Sequence, residues 1–129
     1  EVVKRMHKKG ITVSAFITAD RDQIAASAET GCDAIELHTG MYANAKSDKA
    51  AQKQVLELMA GRDFAIERGL IVHAGHGLTY RNISPIARME GLCEFNIGHS
   101  IISRAVLVGL RQATREMIEL IDKYGPDEV

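Results

Sequence analysis

Glu36, His76, Gly98 and His99 are of types that could hold a charge, move a proton or let the backbone approach an anion, and Gly77 lies beside them. Each lies at or just beyond an apolar run that halts at Gly or His: AIELHTG from Ala34, LIVHAGHGLTY from Leu70 and FNIGHS from Phe95. Polar residues gathered at the C-terminal ends of buried strands are where parallel α/β sheets keep their chemistry.

Gly98 lacks a Cβ, so the backbone there can approach an anion closely, and the helix that follows offers unpaired N–H groups and its positive dipole end. A phosphate fits that turn, and the His99 imidazole could add a hydrogen bond to it. The alternative is that Gly98 only relieves crowding between strand and helix, with Ser100 as a helix cap. His76 stands between Gly75 and Gly77, open to a substrate and suited to general acid or base work; a structural hydrogen-bonding role is the alternative. Glu36 alternates with Ile35 and Leu37, so in a strand it points to the opposite face from them. Inside a barrel such a carboxylate requires a Lys, Arg, His or cationic intermediate as partner, unless it fills a barrel layer as half of a salt bridge.

His38 and His73 lie near the same rim without an assigned role. The histidines make no HExxH pair, and no metal site is expected. His7 is expected to be inert on a solvated helix face with Lys4, Arg5, Lys8 and Lys9, a charge group without the interleaved aromatics of a nucleic-acid patch.

The elements that must position these residues alternate regularly. The chain opens inside an amphipathic helical pattern that Gly10 stops, which suggests residues upstream of Glu1. A β-branched strand over 11–17 follows, then a helix capped by Asp20 and ended by Gly31. A strand over 34–38, a polar loop over 39–48, a long helix ending before Gly69 and a strand over 70–74 come next. Ser84 reads as an N-cap with Pro85 at the first helical position. A strand over 94–98 and one long helix over 101–124, stopped by Gly125-Pro126, complete the chain.

Four βα units joined by short loops imply parallel strands, which fit either an open four-stranded sheet or half of a TIM (β/α)8-type barrel of about 250 residues. No Gly-rich turn follows the first strand, so the dinucleotide-binding reading is weak. The glycines follow the third and fourth strands instead, matching the phosphate-binding loops of the last strands of a barrel. The fold expected is α/β, with residues 1–129 supplying the last four βα units as the C-terminal half of a single barrel domain.

With 129 residues, 46% of them hydrophobic, the chain can bury one core. Its 16 basic and 17 acidic residues give a net charge of −1, which supplies no field for nucleic acid or an anionic membrane. No apolar run approaches the roughly 18 residues of a membrane span, and no secretory signal pattern is present. Cys32 and Cys93 lack CxxC or metal-ligand spacing, so buried packing in a reducing, intracellular compartment is expected of both.

The segments IELHTGMYANAK, VHAGHGLTYRNI and FNIGHSIISRAVLVGL resemble pyridoxine 5'-phosphate synthases, and the resemblance covers the whole chain. It implies a TIM-like barrel that condenses 3-amino-2-oxopropyl phosphate with 1-deoxy-D-xylulose 5-phosphate, in a cytoplasmic homo-octamer without cofactor or catalytic metal. It implies that Glu36 stabilises the transition state, that His76 donates protons, and that Gly77, Gly98 and His99 bind the amino-ketone phosphate. The family's amino-terminal half, with its Asn-x-Asp-His motif, has no counterpart here, so the chain alone is expected to be inactive and to dimerise, aggregate or require the other half. Readings from other classes are a non-catalytic half-barrel that binds a phosphorylated metabolite or serves in assembly, and a different phosphate-handling barrel such as a thiazole or indole synthase.

Overall fold

In the computed structural model, which describes residues 1–126, helix α1 (Val2–His7) leads into strand β1 (Ser14–Ile17) and helix α2 (Arg21–Thr30). Strand β2 (Ala34–His38), the short helix α3 (Gly40–Ala43) and the long helix α4 (Asp48–Ile66) follow. Strand β3 (Ile71–Gly75), helix α5 (Ile83–Ala87), strand β4 (Leu92–Asn96), helix α6 (His99–Val108) and helix α7 (Leu110–Tyr124) complete the order. The four strands form one parallel sheet in sequential order, β1-β2-β3-β4. A sheet whose strands neighbour each other in chain order, with no reversal, is built like half a (β/α)8 barrel and unlike a doubly wound sheet.

The two faces of the sheet differ in chemistry. Ile35, Leu37, Val72 and Ala74 are buried with Ile24, Leu58, Phe64, Ile83, Ile86 and Met117, so the helices cover this side. On the other side the register aligns Phe16, Glu36, His73 and Glu94 in one row and His38, Gly75 and Asn96 in the next. That face is open: Phe16 is 54% exposed and Ile71 49%. Alternation along each strand therefore sends hydrocarbon to the helices and ionisable groups into what would be a barrel interior.

Local signals set most boundaries. The Asp20 side chain accepts hydrogen bonds from the N–H groups of Asp22 and Gln23, and Gly31 ends α2 at φ +86°. Ser47 caps α4 by accepting from the Ala50 N–H. The expected loop over 39–48 contains α3, a single turn too short to show periodicity. Asn82, not Ser84, precedes α5, which places Pro85 at the third helical position. The expected single helix over 101–124 is two, broken at Gly109, whose φ of +83° and ψ of 152° lie in a region open essentially to glycine alone. Arg104 on α6 grips Glu116 on α7 across this elbow with two hydrogen bonds of 2.8 and 3.1 Å.

Two residues differ from expectation in their surroundings. Cys93 is exposed, because β4 bulges there: Leu92 pairs with Val72 and Glu94 with His73, leaving Cys93 without a partner on β3. Cys32 is partly buried. His7 is not inert, since its Nε2 lies 2.8 Å from Asp33 Oδ2, which also accepts from the Val13 N–H at 2.7 Å. Asp33 thereby ties α1 to the segment entering β1.

Candidate active site

The C-terminal ends of β2, β3 and β4 deliver Glu36, His76, Gly77, Gly98 and His99 to the wall of one cavity of about 630 Å³, which Phe16 and Asn96 also line. Every site residue expected from the sequence borders this space.

Glu36 occupies room that glycine leaves. A Cβ built on Gly75 would overlap Glu36 Oε1, so glycine at that position lets the carboxylate lie over the neighbouring strand. Its Oε2 accepts a hydrogen bond from Asn96 Nδ2 at 3.1 Å. The carboxylate forms no ion pair among the described residues, which removes the salt-bridge alternative within this chain. Burial pushes its carboxyl above the ordinary glutamate range; the nearby His73 opposes the rise, Glu94 adds to it, and His38 and His76 oppose it further. His73 lies between the two acids, with Nδ1 4.0 Å from Glu94 Oε1.

His76 has a φ of +81° and is the one non-glycine residue with positive φ among those described. That conformation costs on the order of 1–3 kcal/mol and is characteristic of functional turns. Its ring stacks on His38, with centroids 4.6 Å apart and planes inclined by 25°. The Phe16 ring lies 5.1 Å from His38 and 6.3 Å from His76, closing the group. Gly77 continues the turn at φ +77°, and a Cβ there would come within 2.7 Å of Ala43 Cβ.

At the far side of the cavity α6 opens without a side-chain cap. Its first helical hydrogen bond runs from the Ile102 N–H to Gly98 O, so the preceding N–H groups have no helical acceptor. A Cβ on Gly98 would meet nothing within 4 Å, so relief of crowding does not explain this glycine. Ser100 does not cap the helix either, because its hydroxyl donates to Leu78 O at 2.8 Å. An open helix N-terminus facing a cavity, beside an imidazole, is suited to a phosphate.

Phe16 and Asn96 line the cavity without having been expected there from the sequence. The alternation of Asn96 with Phe95 could have signalled an inward amide, whereas the proximity of Phe16 to two histidines follows only from strand register. Among the described residues no group of three or more His, Cys, Asp or Glu side chains is placed to hold a metal ion.

Residues 1–123 match the family model described as "Pyridoxal phosphate biosynthesis protein PdxJ". A relative from Thermosynechococcus vestitus, named pyridoxine 5'-phosphate synthase, is 54% identical over 94% of this chain and 51% of its own length. Relatives with the same name from Trichlorobacter lovleyi and Geobacter metallireducens are 52% and 48% identical, over 90% and 97% of this chain and 48% and 52% of their own lengths. The chain thus spans about half the length of the curated relatives it matches. The parallel half-barrel, the gathered carboxylate and imidazoles, and this identity along nearly the whole chain agree in one conclusion: the chain belongs to the PdxJ family.

Proposed function

We propose that this chain forms the second half of a pyridoxine 5'-phosphate synthase barrel and supplies the site for 3-amino-2-oxopropyl phosphate. The partner substrate is 1-deoxy-D-xylulose 5-phosphate, and the products are pyridoxine 5'-phosphate, phosphate and water. The observation that carries the reading is the convergence of Glu36, His76 and the open end of α6 on one cavity. The helix N-terminus with Gly98 and His99 holds the phosphate of the amino-ketone, and Gly77 lines the approach. Glu36 faces the nitrogen and offsets positive charge as an imine-like centre develops; a carboxylate raised by burial gains most from such a cation. His76 delivers protons to departing oxygens in the dehydrations.

The second substrate binds to groups on the other half of the barrel, so this chain alone is inactive. Among the described residues no helix is long and apolar enough to cross a membrane. Membership of the family supports placing the enzyme in the cytoplasm as a homo-octamer working without cofactor. The test is steady-state turnover of the chain extended upstream to the length of its relatives. Glu36→Gln and His76→Ala are each expected to lower kcat by about 10²–10⁴-fold with the circular dichroism spectrum unchanged. Parent rates in both variants would refute the assigned roles.

A further inference from the structure

We propose that Thr39 is a positioning residue for His76, holding its backbone in the left-handed turn that aims the imidazole at the cavity. The inference rests on the reading of His76 as proton donor. Thr39 follows β2 directly and is fully buried. Its hydroxyl oxygen lies 2.7 Å from Gly75 O and 2.6 Å from His76 O, and its N–H donates to Gly75 O at 2.8 Å. A hydroxyl has one proton to give. Gly75 O already has the Thr39 N–H as donor, so the side-chain proton is free for His76 O.

That carbonyl belongs to the strained residue. Without the hydroxyl, a partly buried carbonyl loses its donor and the turn at His76 and Gly77, with φ of +81° and +77°, can relax by rotating the intervening peptide. The ring would then swing off its line into the cavity. The neighbours of Thr39 complete the clamp. His38 presents its ring face to His76, and Gly40 leaves the room: a Cβ there would fall against His38 Cε1 and lie 3.0 Å from His76 Cδ2. Three consecutive residues, His38-Thr39-Gly40, thus fix the ring, the carbonyl and the clearance of one imidazole just beyond the adjacent strand.

The experiment compares Thr39→Val, which keeps the shape and loses the donor, with Thr39→Ser, which keeps the donor. Both are made in the chain extended to the length of its relatives. Thr39→Val is expected to lower kcat by about 10²-fold, the effect of a small misplacement of a reacting group, with KM for both substrates nearly unchanged. Thr39→Ser is expected to restore the parent kcat. The His76 ring resonances, followed by NMR through a pH titration, are expected to shift in the valine variant and match the parent in the serine variant. Equal loss in valine and serine variants, or parent kcat in the valine variant, would overturn the positioning role. Should Thr39→Val fail to fold, Thr39→Ser carries the test: kcat and resonances must match the parent's, and any other result overturns the proposal. If His76→Ala itself turns over at the parent rate, it is the proton-donor reading that falls, whatever Thr39 does.

Discussion

Glu36 stands in one sheet row with His73 and Glu94, partly shielded from water, where a charge is harder to hold than on an exposed carboxylate. Because burial raises the Glu36 carboxyl, the folded chain binds that proton more tightly than the unfolded chain does. The stability so contributed is complete below the ordinary glutamate range and is lost as pH rises through the raised value. In the chain extended to its relatives' length, Glu36→Gln is therefore expected to melt at or above the parent temperature at pH 7. The gain should fade on acidification, which scanning fluorimetry across pH 4–8 would follow; a lower melting point at pH 7 would contradict the burial argument. Gly75→Ala tests the seat of the same group, since its Cβ would clash with the carboxylate oxygen. It is expected to reduce turnover nearly as much as Glu36→Gln does, with Asn96 losing its acceptor. The inward carboxylate was legible in the alternation of Ile35, Glu36 and Leu37. Thr39 was not, because its work is done on a carbonyl in the turn after the adjacent strand and no pattern of side chains records a backbone acceptor.

At the scale of elements, punctuation residues were legible where their own side chain or torsion ends the helix. Asp20 and Gly31 bound α2 as their chemistry dictates. Where a break depends on φ and ψ within an unbroken apolar pattern, periodicity runs straight through it, and so Gly109 passed unseen between α6 and α7. Gly109→Ala is expected to destabilise the extended chain by about 1–3 kcal/mol in chemical denaturation, a strain cost, since open space surrounds the position. An unchanged midpoint would mean that the elbow is not fixed by glycine. The α1 attachment behaves differently with pH. The Val13 N–H and His7 hold the Asp33 carboxyl below the ordinary aspartate value, so its stabilisation is present above that value and lost as pH falls through the lowered one. Asp33→Asn should thus loosen α1 at pH 7, seen as faster amide exchange over residues 2–10, and make no difference in strong acid.

At the scale of the whole molecule, the half-barrel order was legible in four βα units with late glycines, while the exposure of Cys93 was not, because a bulge is a property of register. The open face exposes Phe16 and Ile71, and β1 and β4 each have one unpaired edge. On α6, Val106 and Leu107 are 82% and 79% exposed. Unpaired parallel edges beside bare hydrocarbon favour association, so sedimentation of the chain by itself is expected to show dimers or larger species, and a monodisperse monomer would contradict this. The most direct test of the account is a crystal structure of the extended chain with 3-amino-2-oxopropyl phosphate bound. The phosphate is expected against the N–H groups opening α6 beside Gly98 and His99, with the amine toward Glu36 and the His76 imidazole within hydrogen-bonding reach. A phosphate seated elsewhere in the barrel, with Glu36 and His76 out of contact with the ligand, would contradict it.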